Sequence, residues 1–459
     1  MTRSLLLSIP KPRTQGAEGL CAMKIMEVEL CQPLPAVSFD GQYRRLWVLV
    51  RLHSEPIGTC TVDLRSRELS PEHFGKILWR ELGGDIADRF AAAGLPMPGG
   101  LSDGALSVNP ESWPFLQARS RALEAPPDIS IVICTYNRPD QLQACLQHLR
   151  RQQYSAFEVI VVDNCPKTDV VRQHVAALRD PRYRYVVEPR VGLSRARNRG
   201  VSAAAGDVVA FLDDDEEPDV FWLAALASGF ARGSDVGCVT GPILPACLDT
   251  EAQVLFQVLG GHVKDRRFKP AVFCRSGPQS PLYPRPPFGA GGNMAFRRDT
   301  LLRIGRFDTA LGAGTPALGA EDTLALTLVM LAGQKIAYEP AAFVRHHDYR
   351  SLTGLARQLR GYTVSLTAYY VALVCRRPWV LVTLVRLLPD AIRFLRAARS
   401  PANSPLLSLV PELSSARTRG LLAGPAAYLR GRVRNVSSTA QQAWSSRGRP
   451  GQPGQDQGA

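Results

Sequence analysis

Short apolar runs that alternate with helix-like segments dominate the middle of this chain and constrain its fold most strongly. The runs Ile129–Cys134, Phe157–Val162 and Val208–Leu212 have the length of buried strands. Between the first two, a segment that begins at Pro139 carries apolar residues at i, i+3, i+4 and i+7, which predicts a helix. Two further runs of strand length are Tyr183–Val187 and Val236–Thr240. This alternation predicts an α/β fold, with a mostly parallel, Rossmann-like sheet and helices on both faces.

Polar side chains follow three of these predicted strands. Thr135 ends the first strand, Asp163 ends the second, and Asp213–Asp215 end the strand at Val208–Leu212. In an open parallel sheet, ligands bind beyond the carboxyl ends of the strands. The sequence therefore predicts that these groups meet along one edge of the sheet.

The triple aspartate Asp213–Asp215 is the sharpest feature on that edge. Carboxylates packed this closely repel one another, so they need a cation or extensive solvation. A hard divalent ion such as Mg2+ or Mn2+ would supply the positive charge and would also bind phosphate oxygens. The alternative is a solvated acidic turn ahead of a helix predicted to begin at Pro218. The buried strand directly before the aspartates favours the metal.

Several short motifs follow one another along the middle of the chain. They are Ile131–Arg138, Val161–Asn164, Gly192–Asn198, Gly206–Asp215, Gly291–Arg297 and Glu321-Asp322. In this order they resemble the motifs of the family 2 glycosyltransferases of GT-A fold. The similarity covers about residues 128–350, roughly half of the chain. It implies an enzyme that transfers a sugar from a nucleotide-diphospho-sugar to a hydroxyl acceptor.

The resemblance also implies roles for individual residues. Thr135, Tyr136 and Arg138 would line the base pocket, and Asp163 would hydrogen-bond the base. Asp214 would contact the ribose or the metal, while Asp215 would hold the metal on the diphosphate. The other residues expected at the donor site are Arg197, Asn198, Asp213, Gly292, Asn293 and Glu321.

A catalytic base is needed because the acceptor hydroxyl loses a proton as it attacks the anomeric carbon. Asp322 lies at the start of a predicted helix, Asp322–Ala332, whose amino end stabilises a carboxylate. The resemblance makes this aspartate the base and implies inversion at the anomeric carbon. The alternative is a simple acidic helix start.

Two adjacent histidines follow a predicted strand at Ala341–Val344. We choose His346 over His347 as a further metal ligand. A surface or core histidine pair with no metal is an equally good interpretation.

Regions outside the sheet are predicted from composition. Residues 96–127 are rich in Gly, Pro and Ser and are interpreted as a linker, whereas residues 433–459 have the composition of a disordered tail. The predicted order is a leader at 1–22, an N-terminal α+β domain at 23–95, the linker at 96–127, the glycosyltransferase domain at 128–350, a C-terminal helical region at 351–432, and the tail at 433–459.

Charge and cysteine content limit the partners and the compartment. The formal net charge of +14 attracts anions in general, but arginine is spread along the chain, so no nucleic acid is expected. None of the ten cysteines forms a CxxC pair, which indicates reduced thiols and a cytoplasmic protein. Two predicted C-terminal helices, Leu352–Val374 and Trp379–Ala398, carry flanking arginines. They fit the inner face of an anionic membrane, and with it a lipid-linked acceptor, as well as they fit packing on the catalytic core.

Two other functions remain as alternatives. One is a nucleotide- or carbohydrate-binding protein without turnover, which the presence of both Asp215 and Asp322 disfavours. The other is a nucleotidyltransferase, which would be expected to carry a glycine-rich phosphate loop after the first strand. Here that segment reads Thr-Tyr-Asn-Arg-Pro, from Thr135 to Pro139. The donor nucleotide, whether UDP, GDP or dTDP, stays open.

Overall fold

A computed structural model of the chain shows two compact units, which are described separately. The first comprises residues 1–191, 196–306 and 325–358, and the second comprises residues 192–195, 307–324 and 359–459. The residues described are 20–38, 41–64, 68–101, 106, 109–262, 268–276, 282, 288–387, 389 and 420–435. Most of the predicted leader and tail lies outside them, and the predicted domain boundaries stay predictions.

The N-terminal part of the first unit is a small sheet with one long helix. Strand β3 pairs in parallel with β1 and antiparallel with β4. Ser70 caps the helix by accepting from His73 N at 3.3 Å, and Pro71 takes the first helical position. The sequence pattern did not predict β1. The elements are β1 (Lys24–Glu29), β2 (Val37–Ser38), β3 (Arg45–Leu52), β4 (Glu55–Asp63), β5 (Glu68–Leu69) and α1 (Pro71–Ala92).

The segment predicted as a linker contains an α-helix, α2 (Pro114–Glu124), after a short 3-10 turn at Pro110–Ser112. Trp113 lies between the two and is fully buried. Its ring contacts Phe90 edge-on at 5.0 Å between centroids, so burial of this indole ties the segment to α1.

The central sheet has eight strands in the order β13-β15-β11-β14-β9-β6-β7-β8. Strands β9, β6, β7 and β8 run parallel, as do β11 and β15, while β14 and β13 are antiparallel to their neighbours. The predicted α/β class is confirmed.

The helices and strands that follow α2 in the chain, including those outside the central sheet, are β6 (Ile129–Thr135), α3 (Pro139–Leu149), β7 (Phe157–Asn164), α4 (Val170–Ala177), β8 (Tyr183–Glu188), α5 (Leu193–Ala203), β9 (Val208–Asp213), β10 (Glu216–Pro218), α6 (Trp222–Phe230), β11 (Val236–Thr240), β12 (Ile243–Pro245), α7 (Glu251–Val258), β13 (Ala271–Phe273), β14 (Met294–Arg297), α8 (Arg298–Arg303), α9 (Glu321–Leu331), β15 (Lys335–Tyr338), β16 (Val344–His346) and α10 (Leu352–Arg376).

Helices cover both faces of this sheet. Ile131 and Ile133 of β6 point into a core shared with α3, α4 and α6. Val132, between them, faces α5, where a Cβ on Gly200 would meet its Cγ1 at 2.3 Å. Successive strand residues point to opposite faces, so one apolar strand serves both layers.

A second, three-stranded sheet in the order β10-β16-β12 lies beyond the end of β9. The prediction that a helix begins at Pro218 is wrong, because Glu216–Pro218 pairs antiparallel with Val344–His346 and the helix starts only at Trp222. The strand predicted at Ala341–Val344 is shifted in the structure, because β16 runs from Val344 to His346 and shares only Val344 with the prediction.

The second unit contains the later part of α10 and a helix at 420–435. Tyr428 donates to Asp308 Oδ2 at 3.1 Å, and Thr367 donates to the carbonyl of Leu421 at 2.9 Å. Ser194, inside α5, donates to the carbonyl of Leu311 at 2.8 Å. No helix in the described part of the chain combines the length and hydropathy needed to cross a bilayer.

Candidate active site

The triple aspartate forms a turn between β9 and β10, where Arg138 meets it. Arg138 Nη1 lies 2.9 Å from Asp215 Oδ2 and 3.3 Å from Asp214 Oδ1. Asn137, which precedes this arginine, has a φ of 54°, and this left-handed turn separates β6 from α3. The predicted meeting of residues from the first and fourth parallel strands is therefore seen in the structure.

Crowding changes the protonation of the middle aspartate. Burial, followed by the charge of Asp215, raises the pKa of Asp214 to about 7. Arg138 opposes this increase by stabilising the carboxylate. A further positive charge in the cluster would favour ionisation of Asp214.

The two histidines of interest point in different directions. His346 Nε2 lies 3.5 Å from Asp215 Oδ1, and its Nδ1 lies 3.0 Å from Asp348 Oδ1. His347 instead contacts Glu217, with 2.8 Å between Nε2 and Oε1. Successive side chains at a strand end alternate in direction, which explains why only the His346 side chain faces Asp215.

Acidic neighbours increase the basicity of both rings. Burial by itself lowers the pKa of His346, but the Asp348 hydrogen bond and the charge of Asp215 raise it to about 9. Hydrogen bonds with Cys247 and Glu217 raise the pKa of His347 to about 10. With no cation bound, both imidazoles carry positive charge at neutral pH and neutralise part of the acidic cluster.

Glu216 is a buried carboxylate that the sequence analysis did not single out. Its Oε2 accepts from Asp213 N at 3.0 Å, whereas Oε1 has no hydrogen-bond partner among the described residues. Burial and the charge of Asp213 raise its pKa. A Cβ on Gly292 would stand 2.2 Å from Oε1, so this position requires glycine.

Asp163 lies beside Thr135 in the parallel register of β6 and β7. Both side chains are buried, and Asp163 Oδ2 accepts from Tyr185 Oη at 3.0 Å. Burial raises the pKa of Asp163, and the tyrosine hydrogen bond opposes that increase. Tyr136, one residue beyond the strand, leaves 46% of its surface exposed.

Two of the predicted donor-site residues form hydrogen bonds to other groups of the protein with their polar atoms. Arg197 is buried, and its Nη2 lies 2.9 Å from the Gly291 carbonyl and 3.3 Å from Asp213 Oδ1. Asn293 is fully buried; its Oδ1 accepts from Trp222 Nε1 at 2.9 Å, and its Nδ2 donates to the Ala342 carbonyl at 2.7 Å. The Asn293 side chain therefore supports the loop next to Gly292 from within.

The predicted base belongs to the second unit, as do Glu321 and Gly312. Glu321 is buried, and a Cβ on Gly312 would lie 3.3 Å from its Oε2. Asp322 is half-buried in the first turn of α9, where its Oδ1 accepts from Thr323 N at 2.6 Å.

One cluster in the described part of the chain has the composition of a metal site. It consists of His262, His346 and Asp348, whose ligand atoms lie within 4.8 Å of one another. His262 and Asp348 were not predicted, although Asp348 is only two residues beyond His346. His262 follows α7, 84 residues before His346, so sequence spacing carried no signal for it.

Comparisons with known proteins identify the family. The model of glycosyl transferase family 2 matches residues 130–305. The succinoglycan biosynthesis protein ExoM of Rhizobium meliloti is 30% identical over 241 residues, which cover 50% of this chain and 71% of that protein. The chain belongs to glycosyl transferase family 2. This confirms the family that the sequence motifs indicated.

Two further proteins are similar to this family 2 glycosyltransferase over different shares of the chain. The glucosyl-dolichyl phosphate glucuronosyltransferase of Haloferax volcanii is 26% identical over 231 residues, 49% of this chain and 71% of that protein. The solved mannosyltransferase PcManGT from Pyrobaculum calidifontis, in complex with GDP-Man and Mn2+, is 22% identical. That alignment covers 70% of this chain and 94% of PcManGT, with a TM-score of 0.40.

Proposed function

We propose that this glycosyltransferase depends on a divalent cation and transfers a sugar, with inversion, from a nucleotide-diphospho-sugar to a hydroxyl group of a growing glycan. The observation that carries the proposal is the approach of His346 Nε2 to Asp215 Oδ1 at 3.5 Å, directly beyond the end of β9. A carboxylate and an imidazole that converge at the carboxyl ends of parallel strands form a ligand site for a cation and its bound phosphate.

The donor set supports Mn2+ over Mg2+. Mg2+ is held mainly by oxygen ligands, whereas an imidazole nitrogen is a better ligand for transition metals. Asp215 and His346 expose 18% and 16% of their side chains, so an ion between them would keep positions open for water and diphosphate. When bound, the cation would neutralise negative charge on the departing nucleoside diphosphate.

The protein's own residues would hold the donor at the edge of β6, β7 and β9. We assign the base to Asp163, Thr135 and Tyr136, and the ribose to Asp214. The resemblance placed Arg138 in the base pocket, but its ion pairs with Asp214 and Asp215 favour a different role, in which it would add positive charge beside the diphosphate. The other predicted donor-site residues of the first unit would act mainly by shaping the backbone around the sugar; they are Arg197, Asn198, Asp213, Gly292 and Asn293. Glu321 lies in the second unit, and its role at the donor stays a prediction from the sequence.

Asp322 is proposed to accept the proton of the acceptor hydroxyl. The acceptor oxygen forms a bond to the anomeric carbon while the bond from that carbon to the phosphate oxygen breaks. Attack opposite the leaving group inverts the anomeric configuration. The Thr323 amide donates to Asp322 Oδ1 at 2.6 Å, which holds this carboxylate in place in the first turn of α9.

A donor screen followed by a turnover assay tests this function. The full chain is incubated with UDP-, GDP- and dTDP-sugars, with and without Mn2+, and the shift in melting temperature identifies the donor. Slow release of nucleoside diphosphate is then expected with Mn2+ and not with EDTA. Asp215→Asn should remove the Mn2+-dependent shift. The matched control is Asp235→Asn, an exposed aspartate paired with Lys335, which should preserve it.

The same assay separates the two alternative functions. A binding protein without turnover would shift in melting temperature but release no nucleoside diphosphate. A nucleotidyltransferase would release pyrophosphate from a nucleoside triphosphate and a sugar phosphate. Either result would overturn the proposed transfer reaction.

We also propose that the second unit contacts an anionic membrane surface, which would suit a lipid-linked acceptor. Helix 420–435 exposes Leu422 by 80%, Leu429 by 56% and Val433 by 66%, and these residues recur on one helical face. Arg430 and Arg434 are exposed on the same helix, and a basic rim around apolar side chains favours acidic lipid headgroups.

Vesicle sedimentation tests this contact. The full chain should pellet with vesicles that contain phosphatidylglycerol and stay in solution with pure phosphatidylcholine. Replacing Leu422 and Leu429 together with serine should abolish pelleting, whereas Met97→Ser, at an exposed site of the first unit, should not. Equal pelleting of both variants would contradict the assignment of this helix.

A further inference from the structure

Asp348 is a buried carboxylate that joins two histidines. Its Oδ1 lies 3.0 Å from His346 Nδ1 and 3.1 Å from His262 Nε2, and only 3% of the residue is exposed. Each distance is that of a hydrogen bond in which an imidazole N–H donates to the carboxylate. Asp348 therefore connects His346 with the segment that follows α7.

Helix α7 holds Asp348 through two glutamines. Gln257 Nε2 donates to Asp348 Oδ2 at 3.3 Å, and Gln253 Nε2 donates to the Asp348 backbone carbonyl at 3.2 Å. Gln253 is itself fixed, because it forms a capping box with Thr250 at the start of α7. The carboxylate thus has a donor on each oxygen and little freedom to turn.

The consequence for His346 is a fixed ring orientation. Because Nδ1 faces Asp348, the opposite nitrogen, Nε2, faces Asp215 Oδ1 at 3.5 Å. A carboxylate that accepts from Nδ1 keeps Nε2 directed at Asp215 and increases its donor strength toward a cation, which would replace the proton that Nε2 carries when no cation is bound. Without Asp348, the ring would be free to rotate or to carry its proton on Nε2.

We propose that Asp348 is the positioning residue for His346, and that α7 sets cation affinity at the Asp215–His346 site through Gln257 and Asp348. This inference rests on the proposed function, since it assumes that a cation binds between Asp215 and His346. It adds a role for α7 and for a carboxylate that does not itself contact the cation. Asp348 acts on the imidazole, and the imidazole acts on the cation.

Another interpretation is that His262, His346 and Asp348 hold a separate ion. The observed distances favour hydrogen bonding, because one nitrogen of His262 and one nitrogen of His346 both approach Asp348 Oδ1. The other oxygen of Asp348, Oδ2, accepts from Gln257. The two interpretations predict different stoichiometries, one Mn2+ per chain for the positioning role and two for a separate site.

Mn2+ titration of the full chain without donor, followed by electron paramagnetic resonance of the free ion, tests the inference independently of turnover. Asp348→Ala should weaken Mn2+ binding about 10- to 100-fold with one ion still bound. Asp348→Asn keeps an acceptor oxygen and should restore the affinity to within about threefold of wild type. The control is Glu339→Gln, a buried carboxylate paired with Arg232, which should bind Mn2+ as wild type does.

Gln257→Ala supplies a milder variant in case Asp348→Ala does not fold. This variant should weaken Mn2+ binding about threefold when Asp348 is present. In the Asp348→Asn background it should not change Mn2+ binding, because the asparagine amide nitrogen that replaces Oδ2 cannot accept from Gln257. An additive loss in the double variant would overturn the connection through α7.

The remaining outcomes separate this inference from the proposed function. Wild-type affinity in Asp348→Ala, combined with a large loss in His346→Ala, would overturn the positioning role alone. Two Mn2+ ions per wild-type chain, with one lost in Asp348→Ala, would replace it with a separate metal site. Unchanged Mn2+ binding in both Asp215→Asn and His346→Ala would overturn the cation site itself, and the proposed function with it.

Discussion

Arg138 Nη1 donates to Asp215 Oδ2 across 2.9 Å, so an arginine already neutralises the carboxylate proposed to hold the cation. The guanidinium and a divalent ion would both bind to the carboxylate oxygens of Asp215. Because the two compete, loss of Arg138 is expected to strengthen binding of the divalent ion and to weaken binding of the nucleotide-sugar.

Arg138→Gln should tighten Mn2+ binding about fivefold, because removing one partly exposed positive charge is worth roughly 1 kcal/mol. The same variant should weaken binding of the nucleotide-sugar, because a positive charge beside the diphosphate is lost. Calorimetric titration with Mn2+, and then with donor in the presence of Mn2+, measures both effects. Weaker Mn2+ binding in Arg138→Gln would contradict this account of the ion pair.

Asp322→Asn should reduce sugar transfer about 100-fold or more while donor affinity stays near wild type, because a general base acts only in the reaction step. Asp299→Asn is a matched control. Asp299 lies in the first turn of α8 and accepts from Thr300 N at 2.6 Å, as Asp322 accepts from Thr323 N. Single-turnover transfer rates and donor titrations decide the question. Equal rates in both variants would remove Asp322 from the mechanism.

Glycine substitutions in α1 should change stability in opposite directions. A Cβ on Gly84 would meet nothing within 4 Å, so Gly84→Ala should stabilise the fold by about 1 kcal/mol through helix propensity. A Cβ on Gly75 would lie 2.4 Å from the Leu101 carbonyl oxygen, so Gly75→Ala should destabilise it by about 1–3 kcal/mol. Urea unfolding followed by circular dichroism measures both changes. A loss of stability in Gly84→Ala would show that this helix surface is covered.

Glu55→Gln should change how stability depends on pH. Burial, together with the charge of Glu339, raises the pKa of Glu55 from 4.5 to about 7. The folded chain therefore holds a proton that the unfolded chain releases above pH 4.5, and wild type loses stability as the pH rises toward 8. Relative to wild type, Glu55→Gln should gain about 3 kcal/mol over that window. The exposed Glu72→Gln should show a flat difference between about pH 5 and 8, whereas most of the change in Glu55→Gln should fall between about pH 5 and 7. A flat difference in Glu55→Gln over the same range would contradict the prediction.

Local pattern was sufficient where one segment carries its own signal. The strand at Val208–Leu212 and the helix beginning at Pro139 agree with β9 and α3, because an apolar run or a helical period needs no distant partner to be recognised. The pattern failed where pairing decides the structure. Glu216–Pro218 became a strand because Val344–His346 lies beside it, and β1 formed because β3 offered it an edge.

The same distinction applies to the candidate site. Asp163 and Asp213–Asp215 were found by their position directly after apolar strands, which is a local property. The sequence analysis did not identify Glu216 or His262 as candidate site residues. Glu216 stands out only by its burial, and His262 only by its contact with Asp348, which is far away in the sequence. For Asn293 the motif gave a donor-site prediction, and the structure adds that its amide bonds Trp222 and Ala342 within the fold.

From its sequence alone, the chain could be assigned to an α/β class and to a glycosyltransferase family, because strand periodicity and motif order are written in consecutive residues. Only the tertiary structure decided that His346 faces Asp215 and that Arg138 forms ion pairs with the aspartates. It also decided that Asp348, held by α7, accepts a hydrogen bond from the imidazole of His346. The physical reason is that hydrogen bonds and ion pairs depend on distances of a few ångströms between atoms, and those distances are set by strand pairing and helix packing between segments far apart in the chain.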